Sequence, residues 1–254
     1  MSRYVFDHAP LDEVIFAVDF SAPELRSIAF GLYWENVSKR FPIAEEERQP
    51  FAPVHEELAS GELPMLRRVW FESVDHTRLI QLQAYRFMFN WRRKDSEPYP
   101  QFERVLREFQ EEFAEFCTWA VDYSGGIPVN ASRLELSYIN RLDSESGWTF
   151  PPKQEPLVRA LCPLPEGFDE PAVVSTYLIY RRAIGELYVV LRPYHGSSES
   201  AVSQFEIRCW SETKDSVSLD WFNEAHQEIS NAFLALTTEH AQLQWGRRER
   251  DANV

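Results

Sequence analysis

The stretch AVVSTYLIYRRAIGELYVVLRPY, residues 172–194, decides the fold. Its two β-rich runs, 172–182 and 186–194, flank Ala183-Ile184-Gly185, and that spacing predicts an antiparallel hairpin. A third strand is expected at 203–211, with Phe205, Ile207 and Cys209 on one face. Ser218 then stands at an N-cap, with Asp220 in the first turn of a helix running to about Thr238. Phe222, Ala225, Ile229, Phe233 and Leu236 form its apolar stripe. Strands cluster and the helix follows, whereas a parallel α/β sheet would need strict alternation. The expected class is α+β, with antiparallel sheets each covered by a long amphipathic helix.

Moving toward the N-terminus, residues 132–142 alternate, with Leu134, Leu136, Tyr138, Asn140 and Leu142 on one side. Residues 101–119 give the clearest helix, with Phe102, Val105, Leu106, Phe109, Phe113 and Phe116 on a single stripe. Residues 66–72 and 77–93 read as a hairpin about Ser73-Val74-Asp75-His76. Within 77–93 the apolar face switches from Ile80, Leu82 and Ala84 to Tyr85, Phe87, Phe89 and Trp91, which calls for a bulge or for burial of both faces. Residues 41–64 carry four prolines and Glu45-Glu46-Glu47, the composition of a solvated loop. Residues 13–20 form a strand with Val14, Phe16, Val18 and Phe20 inward. Ser21 is placed to cap a helix reaching about Val37, with Leu25, Ile28, Ala29 and Tyr33 buried.

Prolines at 151, 152, 156, 163, 165 and 171 mark 146–171 as a connection. It would join an N-terminal lobe, 1–145, to a C-terminal lobe, 172–254. Each lobe sets a hairpin before an amphipathic helix of about five turns. Duplication would leave that shared order, although no residue-level repeat is visible. The charged tail Gly246-Arg247-Arg248-Glu249-Arg250 is expected to fray.

The formal charge of −14 opposes broad contact with nucleic acid or anionic lipid. Cys117, Cys162 and Cys209 are odd in number and far apart, which argues against a disulfide framework or a zinc site. No run is long and apolar enough for a membrane span, and Met1–His8 lacks a secretory core, so a cytoplasmic protein is expected. GxxxxGK[ST], GxGxxG, HExxH and GxSxG are absent. The six histidines are scattered. No catalytic residue, metal or cofactor is therefore expected.

Several residues remain candidates for binding. In residues 85–94 aromatics alternate with cations; Arg86, Asn90, Trp91, Arg92 and Arg93 could serve an interaction or stack nucleobases. The plainer reading makes the aromatics core and Arg92, Arg93 and Lys94 a solvated strand end. Asn90 and Asn140 sit on strands, where an amide either bridges strands or lines a pocket. Tyr138, Asn140, Tyr177 and Arg192 are candidates for such a lining. Glu111, Glu112 and Glu115 read as a solvated charge run, and Asp75 as a turn-forming residue.

Pro10-Leu11-Asp12-Glu13-Val14, Ile80-Gln81-Leu82-Gln83 leading into Arg86-Phe87 and Asn90-Trp91-Arg92, Tyr99-Pro100 and Tyr138-Ile139-Asn140 resemble a sporadically distributed family of uncharacterised bacterial proteins of about this length. The resemblance implies a bacterial, non-secreted protein and carries over no catalytic residue. The family's patchy distribution implies accessory genes, such as toxin–antitoxin or phage-defence loci. The leading expectation is a non-enzymatic regulatory protein whose partner is another protein. The alternatives are a helix-grip-like small-ligand site beneath 218–238, and nucleic-acid binding through 85–94.

Overall fold

A computed structural model describes residues 4–47, 68–94, 98–148, 158, 175–193, 202–213 and 217–249. The elements run β1 (Tyr4–Phe6), β2 (Leu11–Phe20), α1 (Ser27–Val37), β3 (Ile43–Glu47), β4 (Arg68–Glu72), β5 (Arg78–Gln83), β6 (Arg86–Arg92), α2 (Phe102–Tyr123) and β7 (Ala131–Leu142). They continue with β8 (Thr176–Arg182), β9 (Gly185–Pro193), β10 (Ser203–Glu212), α3 (Leu219–Leu236), α4 (Glu239–Gln244) and β11 (Arg247–Glu249). The fold is α+β with antiparallel sheets, as expected. A duplication is not shown by this arrangement.

Contacts divide the chain into two compact units, each discontinuous in sequence. One comprises Met1–Val14, Glu135–Ser211 and Ser218–Val254; the other comprises Ile15–Leu134 and Glu212–Val217. The division falls within β2 and β7. The proline-rich connection at 146–171 lies outside the described residues except for 146–148 and Val158.

In the unit built mainly from Ile15–Leu134, the strand order is β3-β4-β5-β6-β2. The expected long strand 77–93 is two strands joined by a two-residue turn, Ala84-Tyr85. Pairing runs without a bulge from Arg78↔Trp91 to Gln83↔Arg86. The turn explains the switching face. Leu82 stands opposite Phe87, and Ile80 opposite Phe89, so both apolar sets share one side of the sheet. No Asn-Gly signal marks this turn. Backbone bonds from Phe20 N to Tyr85 O (2.9 Å) and from Leu25 N to Ala84 O (3.0 Å) hold it.

Helix α2 covers that side. Phe16 stacks on Phe109 at 5.1 Å, and Phe87 meets Phe116 at 4.8 Å. Each buried Phe contributes roughly 1.5–3 kcal/mol through burial.

Helix α1 begins later than expected. Ser21 does not cap it, because Ser21 N donates to Asn130 O (2.9 Å) and the chain continues to Arg26 before turning helical. Leu25, Ala29 and Tyr33 are buried as expected, but Ile28 is 70% exposed. The acidic run at 45–47 lies on β3 and not in a loop; residues 48–64 of that expected loop lie outside the described residues.

In the other unit the order is β7-β10-β9-β8. Helix α3 covers one side: Cys209 Sγ approaches Ala225 O at 3.9 Å, and Phe205 meets Phe233 at 6.3 Å. Ser218 caps α3 by accepting from Trp221 N (3.3 Å). Gly185 opens β9 at φ +130°, where a Cβ would stand 2.2 Å from Trp210 O, so the hairpin requires glycine. The tail does not fray at 247–249, because Phe6↔Arg247 and Tyr4↔Glu249 pair β1 with β11.

Candidate functional site

The nine candidate residues do not converge on one site. Tyr138 and Asn140 point to the α3 side of β7. The Tyr138 hydroxyl meets His226 Nδ1 at 2.9 Å, and Asn140 Nδ2 donates to Phe205 O at 3.1 Å. Asn140 therefore bridges strands. Tyr177 and Arg192 lie on the opposite side of their sheet, since Tyr177 pairs with Val190 and Arg192 with Gln204 while Phe205, Ile207 and Cys209 face α3.

The candidates at 86–93 also divide. Trp91 is 3% exposed, faces the α2 side and meets Tyr99 at 4.9 Å. Arg93 shares its parity and is half-buried. Phe87 and Phe89 are buried as well and belong to the core, whereas Tyr85, in the turn, is 44% exposed. Arg86, Asn90 and Arg92 occupy the other face with Trp70, Glu72 and Gln81, as the register requires.

This second face is buried and polar. Asn90 is fully buried, and Gln81 is 4% exposed. Arg86 binds Asp19 at 2.7 Å. Arg92 pairs with Glu72, whose other oxygen lies 2.6 Å from His76 Nδ1. Burial pushes the Glu72 carboxyl up, but the bonds from His76 and Arg92 outweigh it and hold the group below its usual range. Arg92 is thus paired and does not end a solvated strand. Asp75 accepts from Ser73 Oγ (2.6 Å) and Thr77 N (3.0 Å), the turn-forming role expected of it. Trp70 Nε1, Gln81 Oε1 and Arg92 Nε are buried and make no hydrogen bond to protein.

The acidic run on α2 is not simply solvated. Glu112 accepts twice from Arg40, at 3.0 and 2.9 Å, and Arg40 reaches Glu115 at 2.6 Å. Burial still raises the Glu112 carboxyl above its usual range.

Burial pushes the Cys117 thiol up to about 11 and the Cys209 thiol up to about 12, so neither is a thiolate at neutral pH. Among the described residues no group of three or more His, Cys, Asp or Glu side chains is placed to hold a metal ion. No helix among them is long and apolar enough to cross a membrane.

Among the described strands, β8 has the most exposed apolar side chains. It ends the series β7-β10-β9-β8 and leaves Tyr177, Ile179 and Tyr180 at 57%, 49% and 41% exposure. The β8–β9 register puts Tyr177 and Ile179 on the side away from α3, beside Val190 and Tyr188. Tyr177 meets Tyr188 at 5.8 Å, and Tyr188 meets Trp210 at 6.2 Å. The Arg208 guanidinium lies 4.7 Å from the centre of the Tyr188 ring. A row of aromatics thus crosses three strands. Of these residues, only Tyr177 was a candidate from sequence. The signal lay in Tyr177-Leu178-Ile179-Tyr180, an apolar run without alternation, which period alone assigns equally to a buried strand.

No family model matches the chain, and no curated protein matches it.

Proposed function

We propose that this chain is a non-enzymatic interaction protein that docks another protein on β8 and the aromatic row beside it. One observation carries the reading: the strand that ends its series is also the strand with Tyr177, Ile179 and Tyr180 exposed. An end strand offers unpaired backbone groups, and such edges are ordinarily blunted by charge, proline or shortness. Here apolar side chains occupy the strand. Tyr, Trp and Arg are the types enriched where binding energy concentrates, and Tyr177, Tyr188, Trp210 and Arg208 supply them together.

The face carries both signs of charge. Arg208 has Glu206 at 3.8 Å and Glu135 at 4.0 Å, and Tyr188 donates to Glu186 at 2.7 Å. That balance, within a chain of −14, favours a protein over a polyanion. The resemblance to a patchily distributed bacterial family makes the product of a neighbouring gene the first partner to test.

The test is capture from the native host, with crosslinks mapped by mass spectrometry, for the wild type beside Ile179→Lys. The expected result is one reproducible partner crosslinked within 176–210 and lost from the variant. Capture of nothing, or of a partner indifferent to Ile179→Lys, overturns the reading.

A further inference from the structure

Resting on the docking reading above, we infer that the partner adds an extended segment to the outer edge of β8, with an apolar centre and a carboxylate near each end. Three observations lead there. First, β8 hydrogen-bonds to β9 alone among the described strands, so the outer edge of a seven-residue strand has no partner strand among them. Strand addition satisfies the backbone groups of such an edge, and side chains at alternate positions then set specificity.

Second, the face away from α3 presents an ordered row. Along β8 it runs Tyr177, Ile179, Arg181. Leu191 pairs with Thr176, which places Arg192 across from Ser175, just beyond Tyr177. The row is therefore cation, aromatic, aliphatic, cation. Six residues of strand separate its ends, about 20 Å at strand rise.

Third, those two cations have no carboxylate partner among the described residues. The neighbouring arginines do: Arg182 reaches Glu228 at 2.8 Å, and Arg208 lies by Glu206 and Glu135. Glu186 stands opposite Arg181 in register but accepts the Tyr188 hydroxyl. In a chain with 40 acidic and 26 basic residues, two unpaired arginines flanking the exposed apolar strip mark where a partner's carboxylates belong. A second copy fits poorly. Antiparallel self-pairing about Ile179 brings each Arg181 alongside the other copy's Tyr177 and hence toward its Arg192. Two chains of −14 also repel one another.

The test uses the full chain and two fluorescein-labelled, end-blocked peptides, Glu-Thr-Val-Thr-Val-Thr-Glu and its counterpart with lysine at both ends, read by anisotropy. The expected result is at least tenfold tighter binding of the glutamate peptide. Arg181→Glu combined with Arg192→Glu should reverse that preference, and Ile179→Lys should abolish binding of both. Equal binding of the two peptides, lost in Ile179→Lys, overturns the charge pairing while leaving the docking reading intact. Binding of neither peptide overturns strand addition, and so does binding that Ile179→Lys leaves unchanged. The docking reading is judged separately by the partner capture. All three substituted positions lie at the surface or half-buried, and circular dichroism of each variant checks that its fold is kept.

Discussion

Strands β4–β5–β6 and strands β8–β9–β10 are built alike: three antiparallel strands, each with one side under a long helix. They differ on the side away from that helix. In the first, Leu79, Gln81, Met88 and Asn90 are all at most 4% exposed, and charges there are paired. In the second, Tyr177 and Ile179 are about half exposed. The end strands differ in the same sense. Strand β3 carries the exposed Glu45, a charge of the kind that discourages edge pairing, whereas β8 carries Tyr177-Leu178-Ile179-Tyr180. One sheet portion is thus scaffold on both sides. The other is covered on one side only and leaves Tyr177 and Ile179 of the second side exposed.

The largest effect should come from the core of the first portion. Phe87→Ala removes a fully buried ring that meets Phe113 and Phe116, and should cost about 3–5 kcal/mol. Tyr177→Ala, on the exposed side of the second, should change stability by no more than about 0.5 kcal/mol. Denaturant unfolding measures both, and a comparable loss for Tyr177→Ala would mean that β8 is structural.

A middling effect is expected at Glu72. Its folded carboxyl is held below the unfolded value, so its contribution is present above the usual carboxylate range and is lost as pH falls through the folded value. Glu72→Gln should cost about 1–3 kcal/mol at pH 7, with the gap to wild type closing on acidification. A gap independent of pH would show that packing, and not charge, closes this face.

The smallest effect belongs to Gln81. Its Oε1 is buried without a hydrogen bond to protein, so Gln81→Leu should be neutral or slightly stabilising, within about 0.5 kcal/mol. A clear loss in thermal unfolding would mean that the amide is doing more on this face than filling it.

Much of the fold was legible because it rests on local periods. The stripe Phe102, Val105, Leu106, Phe109, Phe116 is buried on α2 as its spacing requires, and Ser218 caps α3. Other features were hidden because distant residues decide them. Ala84-Tyr85 lacks turn chemistry of its own and is held by Phe20 and Leu25. Ser21 has the type of an N-cap, but its backbone is engaged by Asn130, 109 positions away. Glu112 and Glu115 lie where helical spacing predicts a wet face, yet Arg40 reaches them from beyond α1. Among the candidate residues, Tyr177 and Arg192 were named from sequence as a pocket lining together with Tyr138 and Asn140. Their grouping with Ile179 and Arg181, and their separation from Tyr138 and Asn140, follow only from strand register.

By itself the sequence determined most of the long strands and the two long helices with their dry sides, because side-chain direction repeats with the backbone's own period. Only the tertiary structure decided that β8 ends its series, that Leu79–Leu82 and Phe87–Trp91 are buried on both sides of their sheet and that β1 pairs with β11. Those outcomes depend on which segments meet across long stretches of chain, and hydrophobic period carries no record of the partner.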